Sequence, residues 1–232
     1  KMWIDNDQLY VMTDYLSEEE RKNSLSDLIF DSFKNDSSKN PQFDRFSSKS
    51  DLLLRDLQST DSLQFKRALG AFEYYKFEPT DLPKLYQSLK ETYQDTLYAN
   101  AIKEIIISVF PTTHDSKTIE NLKSLYTTTF KDDQEIKSAI ISTIPNIDEE
   151  NALDVYKQLL TESPPLSSKN YYCEIMSPFR DSIQFTVDNF KLLTSLMEYD
   201  LYRYSILNIA TELIKKHPDK KSLVLDEKDS LL

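Results

Sequence analysis

The chain has 232 residues, 28 Lys+Arg against 39 Asp+Glu, a formal net charge of −11, and one glycine where average usage would place about 16. Glycine supplies the positive φ of tight hairpins and the close backbone approach of phosphate loops, so its near absence excludes a Rossmann fold, a P-loop, a β-sandwich and a barrel. The acidic balance, with no Lys/Arg block or basic stripe, disfavours nucleic acid as a partner, and the densest apolar window, 101–110, is interrupted by Lys103 and Glu104, far short of the ~18 apolar residues of a membrane span.

The chain opens Lys1-Met2-Trp3, with neither an initiator methionine nor a signal peptide, and reads as a piece of a longer protein. Leu9, Val11, Thr13 and Tyr15 alternate with Tyr10, Met12 and Asp14, and Asp5-Asn6-Asp7 is turn chemistry between two short apolar pieces. The pattern predicts a hairpin, or the last strand of a sheet whose partners lie upstream. Ser17 with Glu20 forms a capping box for a helix running to about Lys34, with Leu25, Leu28, Ile29 and Phe33 on one face. Residues 1–36 are therefore expected to be a strand-plus-helix remnant of an upstream domain, and the polar, serine-rich stretch 37–50 a linker.

From 51 to 217 the sequence repeats itself. Leu82, Leu85, Tyr86 and Leu89 match Leu122, Leu125, Tyr126 and Phe130, then Ala152, Val155, Tyr156 and Leu159, then Phe190, Leu193, Thr194 and Met197; Leu54 and Leu57 belong to a shortened first copy. Each set is one stripe of an amphipathic helix. Each such helix is followed by a more apolar one, over 63–77, 97–110, 134–147, 170–179 and 200–217. Their faces are Ile102, Ile105, Ile106 and Val109; Ile136, Ala139, Ile140 and Ile144; and Tyr204, Leu207, Ala210, Leu213 and Ile214. Ile106 and Ile140 are expected in the core. Pro79, Pro111 and Pro145 end helices, with Thr, Asp or Asn to cap the next. Residues 218–232 are left as a C-terminal tail.

Little in the chain points to catalysis. His114 and His217 are the only histidines and neither has a second ligand nearby. Asp5-Asn6-Asp7 opens like a calcium loop but lacks its glycine and its glutamate. The acidic clusters Glu18-Glu19-Glu20, Asp132-Asp133 and Asp148-Glu149-Glu150 fall where helices begin, complementing the helix dipole. Gly70 alone cannot build a nucleophile elbow, and Cys173 is expected as a buried structural thiol. We therefore expect no catalytic, cofactor-binding or metal residue. The 14 tyrosines suggest a protein-binding surface instead, with Tyr74, Tyr75, Tyr171, Tyr172, Tyr199 and Tyr202 as its candidates.

The succession of helix pairs resembles an α-solenoid of the HEAT or armadillo kind. What this implies is an all-α, HEAT-like superhelix of about five pairs, following the N-terminal strand and helix. Such stacks offer a long surface for a protein or peptide, the partner expected here, in a noncatalytic scaffold or binding module. The segment Gln8–Met12 with Phe30–Lys34, followed by Ser59-Thr60-Asp61-Ser62-Leu63, is similar to the C-terminal part of large bacterial TraB/GumN-family proteins over roughly residues 1–75. That resemblance implies an accessory region of a periplasmic or cell-envelope enzyme whose active site lies upstream. No catalytic residue of that family can be placed on this chain.

Overall fold

A computed structural model describes residues 2–5, 8–11, 48–72, 74–93, 99–167 and 172–227, and for the two strands, Tyr172 and Cys173 the backbone. The chain divides into two compact units, 1–48 and 49–232. In the first, β1 (Met2–Asp5) pairs antiparallel with β2 (Gln8–Val11), Met2 opposite Val11 and Asp5 opposite Gln8. This is the hairpin alternative of the sequence reading. The helix expected over 17–34 and most of the expected linker lie outside the described residues.

The described part of the second unit is helical. It runs α1 (Ser50–Asp56), α2 (Ser62–Phe72), α3 (Leu82–Lys90), α4 (Ala99–Ser108), α5 (Thr118–Ser124), α6 (Gln134–Thr143), α7 (Ala152–Glu162), α8 (Tyr172–Ile175), α9 (Ser177–Asp181), α10 (Ile183–Asp188), α11 (Phe190–Ser195), α12 (Asp200–Lys216) and α13 (Lys221–Asp226). The π-helical turn Leu125–Thr129 continues α5. There the hydroxyls of Thr127 and Thr128 donate back to the carbonyls of Lys123 and Ser124, a competition that loosens a helix.

With no glycine for left-handed caps, α4, α6 and α12 run into proline-bearing turns, and another such turn opens α3. Tight 3-10 turns at Pro79–Asp81, Phe110–Thr112, Ile144–Asn146 and Pro218–Lys220 each carry a Pro in their first two positions. Side chains cap the starts of α2 and α6: Asp61 Oδ1 accepts from the amides of Leu63 and Gln64 at 2.8 and 3.1 Å, and Asp133 accepts from Ile136 N at 3.1 Å.

The stripes inferred from the sequence are buried. Leu82, Leu85 and Leu89 of α3, Leu122, Leu125, Tyr126 and Phe130 of α5 and its extension, Tyr156 and Leu159 of α7, and Phe190 and Leu193 of α11 belong to one core with Ile106 and Ile140. Packing follows two rows. α1 packs on α3 and α5 on α7, while α4 packs on α6, α6 on α8 and α8 on α12. Polar bonds fasten these neighbours: Lys84 to Asp51 at 2.8 Å, Lys123 to Gln158 at 2.6 Å and Asn100 to Glu135 at 2.8 Å.

Four expectations are corrected. Ser50, read as the end of the linker, is the buried first residue of α1 and donates to Asp81 Oδ1 at 2.6 Å. The helix expected over 63–77 stops at Phe72; beyond it Phe77 is buried in the core and Glu78, before Pro79, is extended. The single helix expected over 170–179 is two, α8 and α9, separated at Met176 by the proline at 178. The expected tail holds α13, anchored by buried Val224.

Candidate functional site

α12 presents two faces. Tyr202, Ile206, Ile209, Ala210 and Leu213 are buried at spacings of four, three, one and three residues, the stripe of a helix packed along one side. Tyr204 is 77 % exposed and Leu207 is also exposed, which reverses their expected place on the core face. The register is set by Tyr202, whose ring lies under the chain and whose hydroxyl donates to Pro165 O at 2.8 Å.

Along the edge of that stripe a groove of about 360 Å³ runs between α12 and the short helices α9 and α10. Its floor is apolar, from Met176, Phe179, Ile209 and Leu213, with exposed Ile183 and Tyr204 on its walls. Ser205, Asn208, Glu212 and Lys216 succeed one another along the α12 side, a run of about 17 Å at 1.5 Å per residue. Arg180, Lys216 and His217 also line it. Glu212, the acid on that wall, is held by Lys215 at 3.3 Å and Lys216 at 3.1 Å, and these ammonium groups keep its carboxyl below the usual range.

A second, polar cavity of about 220 Å³ lies where the turn after α4 meets the turn before α7, lined by Phe110, Pro111, His114, Asp115, Thr118 and Glu149 among others. His114 sits there with φ of 49°, a left-handed conformation taken without glycine. The Tyr86 ring stacks on Phe110 at 4.8 Å, and burial pushes its hydroxyl up to about 12. Burial likewise pushes the Glu149 carboxyl up; the Ile119 amide pulls it part of the way back and the Asp115 charge raises it again.

The six candidate tyrosines do not form one surface. Tyr74 is 85 % exposed, whereas Tyr202 is fully buried and is no part of any surface. Tyr75 is half-buried, accepting from Lys49 N at 3.0 Å with its ring 4.7 Å from Phe77. Tyr199 is half-buried beside Tyr202, edge to face at 6.3 Å. The side chains of Tyr171, Tyr172 and Cys173 lie outside the described residues. Asp133 caps α6 as expected of its cluster, and His217 ends α12, its amide donating to Leu213 O. Among the described residues no three His, Cys, Asp or Glu side chains are grouped to hold a metal, and no helix is long and apolar enough to cross a membrane.

The groove residues were missed because α10 was not recognised as a helix of its own. Its signal is Ser182, whose hydroxyl accepts from Phe185 N at 3.2 Å, just before an Ile-x-Phe-x-Val run. Comparison with protein-family models, curated proteins and solved structures finds no match.

Proposed function

We propose that this chain is a noncatalytic, HEAT-like helical-repeat module that binds a segment of another protein. The two-row packing of α1 on α3 and α5 on α7, beside α4, α6, α8 and α12, supports the repeat reading, because stacked helix pairs place like helices side by side. The observation that carries the binding reading is the apolar groove beside α12, with Ile183 and Tyr204 exposed on its walls. Its length, about three helical turns, and the Arg180, Lys216 and His217 side chains around it suit an amphipathic helix bearing acidic residues on its flanks.

Panning displayed amphipathic helical peptides on the protein tests this. Enriched sequences should carry apolar residues at i, i+3, i+4 and i+7 with flanking acids, and should lose at least about tenfold affinity on Ile183→Asp. No enrichment, or equal binding by the variant, would overturn it. The same reading expects no retention on heparin or anionic vesicles at about 0.15 M salt; tight, salt-sensitive heparin binding would favour a nucleic-acid or glycan role.

A further inference from the structure

Three side-chain oxygens are buried without a well-formed hydrogen bond among the described residues: Tyr86 Oη, Thr118 Oγ1 and Glu149 Oε1. Buried polar groups in folded proteins are nearly always satisfied, so each exception calls for an explanation. These three occur together. Thr118 and Glu149 line the 220 Å³ cavity. The Tyr86 hydroxyl lies beside Thr118 and Asn121 and feels the charges of Asp115 and Glu149. Thr118 is only 1 % exposed, so its orphan oxygen is not a surface accident.

Tyr126 and Tyr156 hold the places in their helices that Tyr86 holds in α3, and both are satisfied. Tyr126 donates to Ser163 O, and Tyr156 donates to Ile175 O at 2.6 Å. Of these three hydroxyls, that of Tyr86 is the one left without a backbone carbonyl, and its neighbour Thr118 lines the cavity.

The remaining chemistry selects a ligand. Asp115, Asp148 and Glu149 line the cavity and no Lys or Arg does, so an anion is repelled. The amide of Lys117 is engaged by Asp115 Oδ1 at 2.8 Å; Glu149 Oε1 is left with open acceptor capacity, and the two hydroxyls can each turn a lone pair to a donor. No three of the acids converge as metal ligands do. Three oxygens able to accept match the three N–H donors of a primary ammonium group, and Phe110, Pro111 and Ile147 offer apolar wall for the methylenes behind it.

We propose that this cavity binds a short primary alkylammonium group, its nitrogen held by Glu149 Oε1, Thr118 Oγ1 and Tyr86 Oη. The group could be supplied by a free amine or by a lysine side chain of another protein, which calls for two probes. Ligand-observed NMR and calorimetry with n-butylammonium chloride would report the first, and Nα-acetyl-lysine methylamide the second, with 1-butanol as the uncharged control. Binding of butylammonium identifies a free-amine site; binding of the lysine amide alone assigns the site to a protein lysine. In either case Glu149→Gln should weaken binding at least tenfold, Thr118→Val about tenfold and Tyr86→Phe a few-fold, with circular dichroism unchanged. Silence of both amines, equal binding of 1-butanol, or undiminished binding by a folded Glu149→Gln protein would overturn the proposal. None of these residues lines the groove beside α12, so this result and the peptide result stand or fall separately.

Discussion

α6 and α12 both follow a helix that carries the repeated stripe, yet they are buried in different ways. α6 has neighbours on several sides, α4, α7 and α8, and six consecutive residues, Ile136 to Ile141, are buried. Even Lys137 is enclosed, its ammonium 2.6 Å from Ser163 Oγ and 4.6 Å from the centre of the Tyr126 ring, and burial holds its pKa below the usual range. α12 is longer, seventeen residues, but buries five of them along a single stripe. Apolar side chains on the rest of α12 remain in water, and the groove runs beside them. A helix enclosed on all sides contributes stability; one packed along one stripe keeps surface to bind with.

The largest expected effect lies in the enclosed region. Ile140→Ala or Ile106→Ala removes fully buried atoms and should cost about 2–5 kcal/mol in urea unfolding; a change under ~1 kcal/mol would erase the distinction. Next is Asp81→Ala, which deprives the Ser50 hydroxyl and the Glu78 amide of their acceptor at 2.6 and 3.2 Å and should cost about 1–3 kcal/mol. A smaller contrast separates two equivalent tyrosines. Tyr156→Phe leaves the Ile175 carbonyl without its donor and should cost about 1–2 kcal/mol, whereas Tyr86→Phe, whose hydroxyl has no such bond, should fall within about 0.5 kcal/mol. Equal costs for the two would remove the asymmetry on which the ammonium site rests. On α12, Tyr204→Ala and Leu207→Ala should also stay within about 0.5 kcal/mol, and Tyr204→Ala, on the groove wall, should weaken a peptide bound there.

The smallest effect is one of sign. The Glu149 pKa is raised in the folded chain, chiefly by burial, so the folded state holds this proton more tightly than the unfolded state. Its contribution is favourable when protonated and is lost as pH rises through the folded pKa. Glu149→Gln should therefore be the more stable protein at pH 7, with the gap closing as pH falls below that pKa. Thermal melts of the two across pH 4–7 would show the reverse trend if the carboxylate were stabilised as a cap.

Helix positions were legible because period and punctuation agree: the stripe Leu82, Leu85, Leu89 and the prolines at 79, 111 and 145 mark one helix after another. α12 shows where this stops working. Tyr202-Arg203-Tyr204 offers two aromatics about 200° apart on a helical wheel, and either could face the core. What decides is Pro165 O, 37 residues away, which accepts from Tyr202; no local pattern contains that contact. The polar cavity was hidden for a related reason. Glu149 sits in an acidic run before a helix and reads as a dipole partner of its own helix, whereas it lines a cavity with Thr118 at the start of α5. The groove needed α10, whose six residues are too few for period alone to reveal.

The proline-bearing turns also act on the state that the fold competes with. A proline ring fixes φ even in the unfolded chain, and a glycine is the residue with most freedom to lose, so nine of one and a single copy of the other narrow the range of shapes open to the denatured ensemble. Less disorder is surrendered when the helices assemble. That bears most on α8 and α9, four and five residues long, which are too short to persist in water unaided. Helices of that size can be kept when the chain entering them has few other ways to go.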